Sequence, residues 1–232
     1  MNAIEKTETV SESRKSFPFK GVIFDMDGTL IESTEADFEA WKLLFADYGQ
    51  QLSFEDYFPL IGMKSAVVVQ THLQLDEEEA IKALAQKLNY FETFIQKNGI
   101  RAVPFATELL QQLKQYDLKI ALATSSRSSK MKMVLDLLEL KKYFDVIVNG
   151  DHVKNSKPAP DIFLLAAKKL KLSPADCVVI EDAASGVKAA KNAGMKCIAI
   201  TTTHKKHLLT EADLVIDSYE DLNLQHFFEL ST

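Results

Sequence analysis

The chain has 232 residues, of which 47% are hydrophobic, so it is long enough to bury a substantial core. Its net charge of −6 and its lack of Lys/Arg blocks argue against binding to nucleic acid or to an anionic membrane surface. No stretch approaches the roughly 20 apolar residues that a membrane-spanning helix needs. We therefore expect a cytoplasmic protein that acts on a small molecule. The sequence does not indicate the oligomeric state, and a monomer is favoured.

The alternation of strand and helix patterns predicts an α/β fold. The first residues, 1–16, lack the apolar core of a signal peptide and are predicted to form a disordered leader. Beyond them, short β-rich apolar runs predict six strands. These strands are Gly21–Phe24, Lys119–Ala123, Val146–Val148, Cys177–Ile180, Cys197–Ile200 and Leu214–Ile216. Helical patterns link them at Ala106–Tyr116, Ser128–Leu138, Ala159–Leu170 and Gly186–Ala193. Since runs such as VVI and IAI are apolar throughout, the sheet should be parallel with helices on both faces.

The interval 34–101 breaks this alternation, because it carries only helical patterns. Its predicted helices are Glu35–Tyr48, Phe54–Phe58, Lys64–Leu73 and Asp76–Lys97. We interpret the interval as a helical domain inserted into a core formed by 17–33 and 102–232. Hinges are then expected near Glu32–Thr34 and Ile100–Val103, where the chain crosses between the two bodies.

The two cysteines are predicted to be structural. Cys177 and Cys197 each open an apolar run, CVVI and CIAI, which is where buried strand thiols lie. We expect two buried thiols rather than a disulfide or a metal-binding pair.

The first candidate site follows the first predicted strand, where GVIF leads into DMDGT. Alternation along the strand places Asp25 and Asp27 on the same side, and Gly28 allows a tight turn just beyond them. Two carboxylates at this spacing suit a hard cation, and one can attack while the other handles a proton. The alternative is a pair of solvated turn aspartates.

The second candidate site is ALATSSR, in which Thr124 ends a buried strand and a helix follows. Its hydroxyl and the neighbouring amides suit a phosphate oxygen, since a helix N-terminus favours anions. The alternative is that Thr124, Ser125 or Ser126 caps that helix.

The third candidate is Lys157 in SKPAPD, immediately before a proline-led helix start. Pinned by the prolines, its ammonium group could neutralise both a nucleophile and an incoming phosphate. The alternative is an ordinary solvated lysine on the surface.

The fourth candidate is VIEDAASG, in which Glu181 and Asp182 leave the end of a buried strand. Their oxygens would add to those of the first motif, and magnesium requires several oxygens in an octahedral array. The alternative is that Asp182 or Ser185 caps the following helix, with no metal present. A parallel sheet would gather all four candidates at one edge, and this consistency favours a functional site.

The order of these motifs, DxDGT, a strand-end Thr/Ser, KPxPD and ED, closely resembles the haloacid dehalogenase superfamily from Gly21 to about Thr201. The chain is similar in particular to the β-phosphoglucomutase and phosphoglycolate phosphatase branch, including Glu-Ala-Trp at Glu39–Trp41. The resemblance implies a Rossmann-like core with a parallel sheet and an inserted α-helical cap domain.

The resemblance also implies a role for each matching residue. Asp25 is the nucleophile that forms an aspartyl-phosphate, and Asp27 is the general acid/base. Thr124 and Lys157 orient the phosphoryl group. The Mg²⁺ ligands are Asp25, Asp182, the carbonyl of Asp27 and, directly or through water, Glu181. Further phosphate or substrate contacts are predicted at Gly28, Thr29, Ser125, Ser126, Arg127, Asp37, Trp41, Gly62 and Lys64.

These roles predict a magnesium-dependent phosphatase of a small phosphorylated metabolite, of the sugar phosphate or phosphoglycolate type. A β-phosphoglucomutase-like mutase is the alternative, and it must bind a second phosphate. Ungapped matching places Asp37 where β-phosphoglucomutases carry a cap histidine, and looser matching places Ser65 and Leu88 at basic phosphate-binding positions. These residues favour a phosphatase, although a slip of one residue would place Lys64 or Lys87 there. A non-catalytic regulator would be expected to lack a catalytic acid, and none is missing.

Overall fold

The computed structural model describes residues 18–61, 63–116, 118–223 and 226–227. The predicted leader and Gly62 lie outside the described residues. Within them, no helix is both long and apolar enough to cross a membrane.

In the part of the chain that the structure describes, six parallel strands form one sheet in the order β3-β2-β1-β4-β5-β6. The strands are β1 (Gly21–Phe24), β2 (Lys119–Ala123), β3 (Val146–Val148), β4 (Cys177–Glu181), β5 (Lys196–Ile200) and β6 (Leu214–Ile216). The predicted α/β fold with a parallel sheet is confirmed, because every predicted strand is present and apolar clusters cover both faces of the sheet. Cys177 and Cys197 are buried free thiols on β4 and β5, as predicted.

Eight α-helices accompany the sheet in the described residues. They are α1 (Thr34–Asp47), α2 (Phe54–Tyr57), α3 (Ser65–His72), α4 (Glu77–Asn98), α5 (Ala106–Gln115), α6 (Ser128–Leu137), α7 (Asp161–Leu170) and α8 (Ala184–Asn192). Short 3-10 turns are Phe58–Leu60, Leu140–Tyr143, Gly150–His152, Pro174–Asp176, Lys206–Leu208 and Tyr219–Asp221. The predicted start of α7 at Ala159 is wrong by two residues, because the amide of Ala159 closes a turn on the Ser156 carbonyl and Pro160 is the N-cap.

Helices α1 to α4 lie between 34 and 101, and we call these residues the cap segment. Apart from Gly62, which is not described, the segment contains no strand. Its longest helix, α4, begins with a capping box between Asp76 and Glu79 and packs along α1. The segment has its own apolar cluster around Trp41 and Tyr57, which supports the predicted inserted domain. The domain boundaries and the hinges stay predictions.

The strand register places the candidate residues together. Phe24 of β1 is level with Leu122 of β2 and with Ile180 of β4. The residues that follow these three neighbouring strands therefore meet at the carboxyl edge of the sheet, where α/β folds bind ligands.

Candidate active site

A cleft with a cavity volume of about 460 Å³ lies between the carboxyl edge of the sheet and the cap segment. Most of the residues predicted from sequence line it, from both sides. These are Asp25, Asp27, Gly28, Asp37, Trp41, Lys64, Thr124, Ser125, Ser126, Arg127, Lys157, Glu181 and Asp182. The volume is in the range that small-molecule sites occupy.

Asp25 is buried directly after β1, with 6% of its surface exposed, and its amide donates to the carbonyl of Ile180 at 3.0 Å. The interpretation of a solvated turn residue is therefore wrong for this position. Burial raises the pKa of Asp25 to about 7, with further contributions from Glu181 and Asp27, while Lys157 opposes the increase. A carboxylate in this position needs nearby positive charge to stay ionised.

Lys157 supplies part of that charge. Its Nζ donates to Oδ1 of Asp25 and to Oε1 of Glu181, each at 2.5 Å. Only 4% of its side chain is exposed, so the alternative of a solvated surface lysine is wrong. Burial lowers the pKa of Lys157, but the two carboxylates outweigh it and hold the pKa above its ordinary value. The ammonium group therefore stays charged beside Asp25.

Glu181 holds Lys157 in place. Its Oε2 accepts hydrogen bonds from the amides of Asp182 and Ala183, both at 2.9 Å, at the start of α8. Both carboxylate oxygens are thus engaged by the protein. This arrangement favours an anchoring role for Glu181 over direct metal binding.

Gly186 lies against the Glu181 carboxylate, and a Cβ there would overlap its oxygens. In a helix, Gly→Ala ordinarily stabilises by about 1 kcal/mol. We expect Gly186→Ala to lower the free energy of unfolding instead, by about 1–3 kcal/mol, because Glu181 must move and Lys157 with it. Denaturant unfolding measures the change. Lys188→Ala, at an exposed position of the same helix, is the control and should change stability by less than about 0.5 kcal/mol. A more stable Gly186→Ala would contradict the anchoring role.

Asp182 is the other acid of this edge. It is buried, and Thr29 donates to its Oδ1 at 3.0 Å. The prediction that Thr29 contacts phosphate or substrate is not supported, because Thr29 is fully buried and does not line the cleft. Asp182 does not cap α8, whose N-cap is Ala183 with no side-chain cap, and Oγ of Ser185 is buried without a hydrogen-bond partner among the described residues. The capping alternative for Asp182 and Ser185 is therefore wrong.

The chemistry of these acids fits a hard divalent cation. Burial raises the pKa of Asp182, and the negative charges of Glu181 and Asp25 raise it further. A bound cation would offset the repulsion among these three carboxylates. Gly28, at φ +76°, lies directly against Asp182, and a Cβ there would overlap the Asp182 carboxylate. Among the described residues, no three His, Cys, Asp or Glu side chains are arranged to hold a metal ion. A cation here would need further oxygens from backbone or water, as Mg²⁺ commonly uses.

Each carboxylate oxygen of Asp27 has a polar neighbour, one through a hydrogen bond and one through an ion pair. Ser126 donates to Oδ2 at 2.6 Å, and Nζ of Lys130 lies 2.7 Å from Oδ1. Burial raises the pKa of Asp27, but Lys130 and the hydrogen bonds outweigh it and lower the pKa below its ordinary value. Asp27 therefore is not a solvated turn residue either.

Thr124 follows β2 and is buried, with its amide donating to the carbonyl of Val148 at 3.1 Å. Its Oγ1 accepts from the amide of Ser126 at 3.1 Å, so it shapes the loop instead of capping a helix. The N-cap of α6 is Arg127, and the carboxylate of Asp151 accepts from the amide of Ser128 at 2.9 Å. The capping alternative for Thr124, Ser125 and Ser126 is therefore wrong.

On the opposite wall of the cleft, Asp37 of α1 is the centre of a charged cluster. Its Oδ1 lies 2.6 Å from Nζ of Lys87 and 3.6 Å from Nζ of Lys130, and Tyr57 donates to Oδ2 at 3.1 Å. Burial raises the pKa of Asp37, but the two lysines lower it to about 2, so this acid is ionised. Lys87 also lies over the ring of Trp41, at 4.3 Å from its centroid.

The sequence analysis missed Lys130 and Tyr57. One signal for Lys130 was available, since a lysine in the first turn of a helix is disfavoured by the helix dipole and indicates a tertiary partner. Tyr57 carries no such signal, because an aromatic residue in a short helix is ordinary core material.

Comparisons with known proteins identify the family of the chain. A family model described as haloacid dehalogenase-like hydrolase matches residues 22–200. The bifunctional riboflavin kinase/FMN phosphatase of Arabidopsis thaliana is 37% identical over 207 residues, which cover 88% of this chain and 54% of that protein. The chain thus spans about half the length of that relative.

Two further similarities cover nearly the whole of the compared protein. The fructose-1-phosphate phosphatase YqaB of Escherichia coli is 32% identical over 185 residues, covering 78% of this chain and 96% of that protein. The crystal structure of β-phosphoglucomutase from Clostridium difficile superposes with a TM-score of 0.83 and 28% identity, covering 92% of this chain and 97% of that one. The resemblance found in the four motifs is confirmed, and the chain belongs to the haloacid dehalogenase-like hydrolases.

Proposed function

We propose that this protein is a magnesium-dependent phosphatase that hydrolyses a small phosphomonoester through an aspartyl-phosphate on Asp25. The observation that carries the proposal is the buried triad of Asp25, Lys157 and Glu181 at the edge of the sheet, facing the cleft. A carboxylate and a phosphate dianion repel each other, so a fixed cation beside the carboxylate is what in-line attack requires.

In the first step, a carboxylate oxygen of Asp25 forms a bond to phosphorus while the bond from phosphorus to the leaving oxygen breaks. Asp27, which must first take up a proton because Lys130 lowers its pKa, donates that proton to the leaving oxygen, and the alcohol departs. In the second step, Asp27 takes a proton from water as the water attacks phosphorus. The bond between phosphorus and Asp25 then breaks, which releases phosphate and restores the carboxylate.

The residues that would hold Mg²⁺ are Asp25, Asp182 and the carbonyl of Asp27, with Glu181 acting through water or through Lys157. When bound, the cation would supply positive charge that screens the phosphate from the carboxylates. Thr124, and the loop from Ser125 to Arg127, would contact the phosphoryl oxygens from the side of β2.

The substrate we propose is a sugar phosphate or phosphoglycolate type of monoester. Sequence similarity to a fructose-1-phosphate phosphatase over nearly its full length supports the sugar phosphate class. The cleft volume also suits a ligand of this size. The cytoplasmic location and the monomeric state stay predictions.

A sugar phosphomutase is the second candidate, because the fold is similar to that of a β-phosphoglucomutase. The cap segment argues against it. Lys87 is paired with Asp37, and Nζ of Lys64, an exposed residue, lies 3.5 Å from the carbonyl of Lys154. Because Asp37 neutralises Lys87, Lys64 is the charged cap residue of this pair that a second phosphate could still use, which is less than a tightly bound second phosphate group needs.

Phosphate release from a panel of sugar phosphates, phosphoglycolate, nucleotides and pyrophosphate tests the proposal. We expect release that needs magnesium, and an Asp182→Ala variant that needs a higher magnesium concentration for the same rate. Because this change removes one of several crowded acids, the variant should fold normally. Its thermal unfolding, with and without magnesium, should show a smaller metal-induced stabilisation than the wild type.

Other outcomes of the same experiment are informative. Full turnover of Asp182→Ala in chelator would contradict the metal assignment. Conversion of hexose 1-phosphate to hexose 6-phosphate, faster than phosphate release, would favour the mutase. No turnover on any compound would favour a non-catalytic regulator on the same fold.

A further inference from the structure

Lys130 lies where the sheet edge and the cap segment meet. It belongs to the first turn of α6, and only 13% of its side chain is exposed. Its Nζ lies 2.7 Å from Oδ1 of Asp27 and 3.6 Å from Oδ1 of Asp37. The same ammonium group lies over the ring of Phe91 of α4, at 4.3 Å from its centroid. Lys130 thus contacts Asp27, which follows β1, and one residue from each of the cap helices α1 and α4.

On the side of the sheet, Lys130 and Ser126 contact the two carboxylate oxygens of Asp27. The hydroxyl of Ser126 donates to Oδ2 at 2.6 Å, and the ammonium group of Lys130 forms an ion pair with Oδ1 at 2.7 Å. Oδ1 accepts no hydrogen bond among the described residues, so the charge of Lys130 is the contact that favours this rotation of the carboxyl group. The ion pair favours the carboxylate form of Asp27, which is the form that takes the proton from the attacking water. A group that transfers a proton must meet its partner in a narrow range of distance and angle, so this placement bears on the reaction.

On the side of the cap segment, Asp37 is itself held firmly. Lys87 and Tyr57 contact its two oxygens at 2.6 and 3.1 Å, and the ring of Trp41 lies beneath the ammonium group of Lys87. Asp37 is therefore paired within the cap segment and is not a solvated surface acid. Asp27, Lys130 and Asp37 form a continuous charged link across the cleft.

Stability alone does not account for Lys130. Partly buried ion pairs contribute little net stability, because desolvation of both charges offsets their attraction. A cation in the first turn of α6 also opposes the helix dipole. An unbranched apolar side chain such as Met would pack on Phe91 without either cost.

We propose that Lys130 is a positioning residue that orients the Asp27 carboxyl group for proton transfer, with Asp37 as its anchor on the cap segment. The inference rests on the proposed role of Asp27 as the acid/base. In this proposal Lys130 acts through Asp27 and does not contact the substrate.

The test compares Lys130→Met and Lys130→Arg with Lys132→Met, a matched control at an exposed position of the same helix. On an alkyl phosphate substrate of the wild type, we expect Lys130→Met to lower kcat by roughly 10- to 100-fold with KM within about twofold. Lys130→Arg should restore much of kcat because it keeps the charge. Lys132→Met should match the wild type. Normal kcat in Lys130→Met, with an active wild type, would overturn this inference alone, whereas an inactive wild type would overturn the proposed function.

A double-mutant cycle distinguishes positioning from general damage. If Lys130 acts through Asp27, Lys130→Met should cause no further loss of kcat in an Asp27→Asn background. A loss in that background as large as in the wild type would overturn the proposal. Thermal unfolding checks that each variant is folded, and if Lys130→Met is not, Lys130→Gln takes its place in the cycle with the same expected outcomes.

Discussion

Asp25→Asn should reduce phosphate release to background. The substitution keeps the size and shape of the side chain but removes the nucleophilic carboxylate, so no aspartyl-phosphate can form. Because Asp25 is buried among other acids, loss of its charge relieves repulsion and should leave the fold intact. Phosphate release with the best substrate, together with circular dichroism, measures both effects.

The control for this variant is Asp136→Asn, at an exposed position of α6, which should retain wild-type turnover. Acid quenching with labelled substrate adds a direct measurement, since the wild-type protein should carry label on Asp25 and the variant none. Label on Thr124 or Ser125 would mean that the nucleophile and the reaction class are both different from those proposed.

Asp27→Asn should slow turnover by roughly 10²–10⁴-fold without preventing the first step on every substrate. With 4-nitrophenyl phosphate the leaving group is already acidic, so phosphorylation of Asp25 needs little proton donation. Hydrolysis of the phosphoenzyme would still lack its base. We therefore expect a burst of 4-nitrophenolate followed by slow turnover, and labelled phosphoenzyme should accumulate on Asp25.

An alkyl phosphate substrate and a double variant are the controls for the burst experiment. An alkyl phosphate should show no burst with Asp27→Asn, because its leaving oxygen depends on the proton donor. The double variant Asp25→Asn/Asp27→Asn should show no burst with either substrate. Equal rates for wild type and Asp27→Asn on the alkyl phosphate would exclude Asp27 as the acid/base.

The sequence by itself determined the sheet and the edge at which the site lies. Short apolar runs such as VVI and IAI, which alternate with helical patterns, favour a parallel sheet covered on both faces, and the strands predicted from this alternation are present. Parallel strands bring their carboxyl ends to one edge, so Asp25, Thr124 and Asp182 were placed together without coordinates. The sequence predicted the ends of the helices less accurately than the strands. The structure starts α7 after Pro160, and it starts α8 where the Glu181 carboxylate accepts from the amide of Ala183.

Only the tertiary structure decided which charges pair. Lys157 in a loop has the composition of a surface lysine, and its burial between Asp25 and Glu181 depends on segments far apart in the chain. The same holds for Lys130, whose partners come from β1's motif and from the cap segment. Periodicity specifies which face of an element is apolar, whereas an ion pair depends on the relative placement of two elements, to within about 1 Å. That placement is a property of the packed molecule, which is why the sequence predicted the acids of the site but not the lysine that links them to the cap segment.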